Sequence, residues 1–107
     1  MSLEDIEFHK SGRLDRPGLG LYLRGYWVGK TTMEMAWAQI SKSLPAPNNP
    51  AKYTARMMCG EAFWKPPGRK RALSLGRSIK YFVDQEMLPL YEANPRKKGS
   101  RKYIRIN

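Results

Sequence analysis

Apolar residues change their spacing near residue 29, and this change constrains how the first half of the chain can fold. Over residues 19–28 they alternate with other residues and place Leu19, Leu21, Leu23 and Trp27 on one parity, which is typical of a half-buried strand. From residue 31 to 44 they recur every three or four residues, which is typical of a helix with one buried face. The sequence therefore predicts a strand followed directly by a helix.

The stretch GKTT joins these two elements and raises the question of a phosphate-binding loop. Such a loop needs a glycine five positions before the glycine of its Gly-Lys pair, which here is Gly29. Arg24 occupies that position, and Gly25 comes one residue too late. We therefore interpret GKTT as a turn from strand to helix. Gly29 would flex the chain, and Thr31 with Glu34 would form a capping box for the helix.

Two further helices are predicted after the proline-rich stretch PAPNNP. The second begins with Asn49 as its cap and ends near residue 62. Its predicted core contacts are Tyr53, Met57 and Met58. A basic loop, WKPPGRKRA, separates it from the third helix, which spans 74–87 with Ser74 as its cap. The apolar stripe of the third helix consists of Leu75, Ile79, Phe82, Val83 and Met87.

The tail predicts a β-hairpin. Two short apolar runs, Leu88 to Ala93 and Lys102 to Ile106, flank the turn-forming stretch NPRKKGS, so that residues 94–102 form a basic tip. At the other end, residues 1–18 lack apolar periodicity and are predicted to form a flexible or extended arm. Residues 19–107 then make a single domain, as expected for a chain of 107 residues.

Positive charge is concentrated in the second half of the chain. The formal net charge is +11, and residues 65–107 hold twelve lysines and arginines against three acids, a net +9. An excess confined to one region indicates a surface that binds a polyanion, although a merely solvating basic face is the alternative. One cysteine and one histidine exclude an internal disulfide and zinc-type ligand sets, so no metal or cofactor is predicted. Cys59 is expected to be a small buried residue.

This order of elements resembles the winged-helix version of the helix-turn-helix DNA-binding proteins. The resemblance rests on LGRSIKYFVDQEMLPLYE followed by RKKGSRKYIRI, and it covers roughly residues 30–107 at the level of the fold. It implies an α+β fold with three helices, an N-terminal strand and a C-terminal β-hairpin, or wing. The family also has a strand between its first and second helices, which PAPNNP does not show.

The resemblance implies a sequence-recognising regulator or accessory factor that binds double-stranded DNA, such as phages and mobile elements encode. Helix 74–87 would enter the major groove, and the basic hairpin would contact phosphates. The candidates for base contacts are Arg77, Ser78, Lys80, Tyr81 and Gln85. The candidates for phosphate contacts are Lys65, Arg69, Lys70, Arg71, Arg96, Lys97, Lys98, Arg101 and Lys102.

Other functions stay open at this point. RNA binding is the nearest alternative, because Trp64, Tyr81, Tyr91 and Tyr103 could stack on unpaired bases. A protein-interaction module that docks an acidic partner is another. Catalysis is not expected, because the sequence shows no clustered carboxylates or other catalytic set. No apolar run has the length of a membrane span and the start does not resemble a secretory signal, so a cytoplasmic protein is expected. The strand at 19–28 packs into the chain's own core or forms a homodimer contact.

Overall fold

The protein has an α+β fold in which helices pack beside two small antiparallel sheets. The structure is a computed structural model and describes residues 3–10, 18–47, 51–64, 69–93 and 101–106. After a short 3-10 helix at Leu3–Asp5, the elements of these residues are β1 (His9–Lys10), β2 (Leu19–Leu23), β3 (Tyr26–Gly29), α1 (Lys30–Lys42), β4 (Tyr53–Thr54), α2 (Ala55–Cys59), α3 (Glu61–Trp64), α4 (Arg69–Asp84), β5 (Leu90–Ala93) and β6 (Lys102–Arg105). The strand orders are β1-β2-β3 and β4-β6-β5.

The predicted strand over 19–28 is a hairpin of β2 and β3. Leu23 pairs with Tyr26, and the two residues between them, Arg24 and Gly25, both have positive φ, of 53° and 82°. Two residues with positive φ form the turn type whose twist matches that of the flanking strands. The prediction of one continuous strand is therefore wrong, and the alternating leucines that suggested it, Leu19, Leu21 and Leu23, all lie in β2.

Part of the predicted N-terminal arm packs on the domain. His9 and Lys10 form β1 and pair with β2, as an extended lead-in would. Before them, the side chains of Leu3, Ile6 and Phe8 pack against the core. Residues 11–17 lie outside the described part of the chain.

Helix α1 begins two residues earlier than the capping box predicts, at Lys30 where a Thr31 cap would make Thr32 the first helical residue. β3 runs through Gly29, which is extended at φ −69° and ψ 149°, and the helix starts at Lys30 without a side-chain cap. The prediction that Thr31 caps the helix is therefore wrong, because Thr31 already lies inside the first turn. The buried face is the predicted one, with Met33, Ala36 and Ile40 fully enclosed.

The predicted second helix is two short helices, α2 and α3, separated by Gly60 at φ 89°. The cap of α2 is Thr54, whose Oγ1 accepts a hydrogen bond from the Met57 backbone N–H at 3.1 Å. Met57 is 61% exposed, so its prediction as a core contact is wrong, whereas Met58 is buried as predicted. The predicted cap at residues 49–50 lies outside the described part.

Helix α4 forms the centre of the core. Its predicted stripe is confirmed, because Leu75, Ile79, Phe82 and Val83 are all buried, as is Met87 just beyond the helix. The helix itself begins at Arg69 and ends at Asp84, so the prediction of Ser74 as its cap is wrong. The stripe packs on α1, where the rings of Trp37 and Phe82 meet edge to face with centroids 5.1 Å apart.

The predicted C-terminal hairpin is present as strands β5 and β6, which pair antiparallel from Leu90–Arg105 to Ala93–Lys102. Its tip, residues 94–100, lies outside the described part. The sequence did not predict β4, which pairs with the opposite edge of β6 through Tyr53 and Tyr103. The buried Tyr103 thereby joins this sheet to the core.

Candidate nucleic-acid interface

The predicted basic loop before the third helix is partly helical. Arg69, Lys70 and Arg71 form the first turn of α4, and their side chains lie outside the described part. The sequence suggested a loop because Pro66, Pro67 and Gly68 precede these residues, but arginine and lysine are themselves good helix formers. Three predicted phosphate-contact residues therefore lie on the same helix as the predicted base-contact residues.

Arg77 lies between α4 and the β2–β3 hairpin. Its guanidinium carbon is 3.7 Å from the centre of the Tyr26 ring, a cation–π contact. An arginine stacked on an aromatic ring keeps its N–H donors in the plane of the guanidinium, where they can reach an anion or a base edge. The contact also fixes the hairpin beside the predicted reading face of α4.

Ser78 does not fit its predicted role. It has no exposed surface, and its hydroxyl donates a hydrogen bond to the Ser74 carbonyl at 2.8 Å. Ser78 follows Leu75 by three residues, which places it on the buried stripe of the helix. A side chain enclosed in this way cannot reach a base edge, so we correct that prediction.

Lys80 is held by two carboxylates. Its Nζ donates to Glu92 Oε2 at 2.5 Å and to Asp84 Oδ1 at 2.7 Å. Burial lowers the pKa of Lys80, but the hydrogen bonds and charges of Asp84 and Glu92 outweigh it, so that the pKa is raised. The contact with Asp84 is an ion pair between residues four apart on the same helix. Because Glu92 also contacts Arg101, with 3.5 Å between Oε1 and Nε, it links α4 to both sides of the C-terminal hairpin near its tip.

The two remaining base-contact candidates differ in accessibility. Tyr81 is half-buried against the core, with its ring centroid 6.3 Å from that of Phe82. Gln85 is exposed in the turn that follows α4. Its backbone N–H bonds the Tyr81 carbonyl at 2.9 Å, which holds this turn against the helix.

Four arginines from four different parts of the chain line one cavity of about 520 Å³, which we call the arginine cavity. They are Arg24 in the hairpin turn, Arg56 in α2, Arg77 in α4 and Arg101 before β6. None of the described residues that line the cavity is acidic. A concave surface with four guanidinium groups and no lining carboxylate concentrates positive potential.

A smaller cavity of about 200 Å³ adjoins the arginine cavity. The two cavities share Arg24, Arg77 and Arg101, and the smaller one is also lined by Lys80 and Asp84. The acid in its wall makes this second space less cationic than the first.

Only two of the remaining phosphate-contact candidates lie in the described part of the chain. Arg101 faces both cavities, and Lys102 is exposed at the start of β6, where it pairs with Ala93. The other candidates, Lys65, Arg96, Lys97 and Lys98, lie outside the described part. Arg24 and Arg56 were not among the residues predicted from the sequence. For Arg24 the dipeptide Arg-Gly within an alternating apolar run was an available signal of a hairpin turn, whereas no sequence signal links Arg56 to this surface.

Comparison with protein families, characterised proteins and solved structures gives no match for this chain. Within the described ranges, no group of three or more His, Cys, Asp or Glu side chains could hold a metal ion. None of the described helices combines the length and apolar character that a membrane crossing requires.

Proposed function

We propose that the protein binds double-stranded DNA as a winged-helix-like regulator or accessory factor. The observation that carries the proposal is the arginine cavity, in which cations from a helix and from the C-terminal hairpin converge on one concave surface beside α4. Arginines that approach DNA phosphates release condensed counterions, which gives affinity that falls steeply with salt. A dispersed basic surface would not concentrate its arginines in this way.

The arrangement of the second sheet supports the winged-helix part of the proposal. The family has a strand between its first and second helices, and β4 lies in that position between α1 and α2. It pairs with β6, so that the sheet order is β4-β6-β5. α4 then takes the place of the helix that enters the major groove, and the β5–β6 hairpin takes the place of the wing.

The residues proposed to read bases are fewer than the sequence predicted. Ser78 is buried, and two carboxylates neutralise Lys80, so neither is retained. Arg77 is suited to guanine and Gln85 to adenine, with Tyr81 beside them. Tyr26 holds Arg77 in place, which reduces the side-chain entropy that binding would cost.

The β2–β3 hairpin adds an element to this proposed interface. Its turn carries Arg24 into the wall of the arginine cavity. DNA that lies along α4 would therefore meet the hairpin turn, and we assign Arg24 and Arg56 to the phosphate-contact set together with Arg101 and Lys102. Four such contacts predict a slope of about −3.6 in a plot of log affinity against log salt concentration.

Fluorescence anisotropy tests the proposal directly. The full chain is titrated with a labelled random-sequence duplex, a single strand and an RNA hairpin of equal length, each at low and at physiological salt. We expect the tightest binding to the duplex and a steep loss of affinity with salt. Absence of binding to all three at low salt would refute the proposal and indicate that the basic surface meets a protein.

Selection from a random duplex library then tests the assignment of α4. Arg77→Ala should relax the selected sequence, whereas Lys102→Ala should weaken all sequences alike and reduce the salt slope by about one. Lys42→Ala, at the exposed end of α1, is the control for loss of one charge. Equal loss across all sequences from Arg77→Ala and Lys102→Ala would remove α4 from the groove.

Binding to single-stranded RNA or DNA is a second candidate, favoured by exposed aromatic rings at the arginine cavity and at the smaller cavity beside it. Tyr22 and Tyr26, on either side of the hairpin turn, are each 57% exposed. Exposed rings next to arginines can stack on unpaired bases. Tyr103 was predicted as a stacking candidate but is 1% exposed, so it is removed from this set. Preference for the single strand or the RNA hairpin in the anisotropy experiment would favour this candidate.

A further inference from the structure

The arginine cavity has the size of a binding site for a small ligand as well as the charge of a DNA-binding surface. Its volume of about 520 Å³ falls within the range of about 300–1,000 Å³ that is common for such sites. Ala55 and Ala72 are among its lining residues, and their small side chains leave this space open. A polynucleotide backbone that passes over a surface does not require a cavity of this volume.

Two contacts hold cavity arginines in place before any ligand arrives. Tyr26 packs on the guanidinium of Arg77 at 3.7 Å, and Glu92 contacts Arg101 Nε at 3.5 Å. The two-residue turn fixes the backbone of Arg24. Groups that are already oriented lose less entropy when they bind a ligand.

The charge of the cavity indicates which ligand it would accept. Four guanidinium groups around one space repel one another, and none of the described residues that line this space is acidic, although Glu92 contacts Arg101 from outside it. Phosphate oxygens match the fork of donors on each arginine, and two or more negative charges would offset the repulsion. A singly charged carboxylate ligand would offset less of it.

We propose that the arginine cavity is a binding site for a phosphate or diphosphate group with at least two negative charges. These charges belong either to a free phosphorylated ligand or to two neighbouring phosphodiesters of a nucleic-acid backbone, each of which carries one negative charge. The inference rests on the proposed DNA-binding function only for the second source. For a free ligand it adds a separate property, since that ligand would compete with DNA for Arg77 and Arg101.

Isothermal titration calorimetry with inorganic pyrophosphate at low salt tests the cavity as a site for a free phosphorylated ligand. Anisotropy with the random duplex tests the cavity as a site for the nucleic-acid backbone. The variants are Arg24→Gln and Arg56→Gln, each checked for folding by circular dichroism. Lys42→Gln removes one positive charge away from the cavity and is the matched control. We expect one pyrophosphate per chain, with affinity reduced about tenfold by each arginine variant and less than twofold by Lys42→Gln.

Each pattern of results has a distinct meaning. Pyrophosphate binding that depends on Arg24 and Arg56 supports the site, and if the wild type then binds no nucleic acid, only the proposed function fails. Absence of pyrophosphate binding, with duplex affinity that depends on Arg24 and Arg56 but not Lys42, supports the site with the backbone as its source. If neither probe binds, or if both respond to Arg24→Gln and Arg56→Gln no more than to Lys42→Gln, the proposal is overturned.

Discussion

Replacing Glu92 with glutamine should lower the stability of the fold while raising the affinity for DNA that we propose. Glu92 lies on β5 with only 10% of its side chain exposed, and it accepts a hydrogen bond from Lys80, whose side chain is 14% exposed. It is also the acid nearest to Arg101 among the described ion pairs. Glutamine keeps the shape and one acceptor oxygen but removes the negative charge, so the change isolates electrostatics from packing.

The size of the stability loss follows from the burial of the pair. A hydrogen bond to a charged group contributes about 1.5–3 kcal/mol, and glutamine still offers Lys80 a neutral acceptor. We therefore expect Glu92→Gln to cost about 1.5–2 kcal/mol. Asp84→Asn is the control because Asp84 contacts the same lysine at helical spacing but is 48% exposed. An exposed pair of this kind contributes only about 0.3–0.5 kcal/mol.

Urea denaturation at pH 7, read by tryptophan fluorescence, measures both free energies of unfolding. Duplex affinity at low salt is measured in parallel. Because Glu92→Gln leaves Arg101 without its negative partner, we expect the affinity to rise by roughly two- to fivefold. A Glu92→Gln protein no less stable than Asp84→Asn would refute our account of the buried ion pair, and a fall in affinity at unchanged fold would refute our account of its electrostatics.

Three further predictions concern the fold. Thr54→Ala should cost about 1 kcal/mol in urea denaturation because it removes the α2 cap, whereas Thr54→Ser should cost little, and equal losses would contradict the capping role. Gly20→Ala should cost at least about 1–3 kcal/mol, because its Cβ would lie 2.3 Å from a β3 carbonyl oxygen. Gly29→Ala is the control, since its Cβ would meet nothing within 4 Å. Similar thermal stabilities of the two variants would argue against the close approach at Gly20. Burial, with a smaller contribution from Glu92, raises the pKa of Tyr103 from 10 to about 12, so the unfolded chain loses this proton first and stability falls as pH rises above 10. Between pH 8 and pH 11 the wild type should lose about 1.4 kcal/mol more than Tyr103→Phe in urea denaturation, and parallel losses would contradict the shift.

Apolar spacing predicted the buried faces of the long helices but not the helix ends. Met33 and Ile79 are fully enclosed as their spacing required, because tertiary packing acts on the same faces that the spacing reveals. The ends depended on weaker local signals. Ser74 is an acceptable cap by residue type, yet α4 continues five residues before it, and Ser78 uses the Ser74 carbonyl as an ordinary intrahelical partner.

The β2–β3 hairpin shows why strand alternation alone misled the sequence analysis. A two-residue turn shifts the parity of the chain, so that Val28, not Trp27, shares the buried face with Leu23. Trp27 instead lies on the other face, where its ring meets Tyr22 with centroids 5.1 Å apart. The alternation looked continuous because aromatic residues occupy both parities after the turn, and only the glycine at residue 25 indicated the reversal.

The site was less predictable than the fold, because it is assembled across the whole chain. Arg24, Arg56, Arg77 and Arg101 are far apart in sequence and meet only through the packing of a hairpin, two helices and a strand. A charge count could place the excess in residues 65–107 but could not assign two of these four arginines to the surface. Their meeting depends on tertiary contacts that leave no periodic trace in the sequence.

The positions of the acids decide which positive charges on this face are compensated within the fold. Of the three acids in the basic half, Asp84 and Glu92 both contact Lys80, and that lysine is largely buried at the junction of α4 and β5. Its role is therefore to hold the helix against the hairpin, and its charge is compensated within the fold. Arg77 instead packs on the uncharged ring of Tyr26 and keeps its full charge at the arginine cavity. The net charge of residues 65–107 therefore differs from the charge of the surface that a polyanion would meet. It includes Lys80, whose charge is compensated, and it leaves out Arg24 and Arg56, which belong to the first half of the chain.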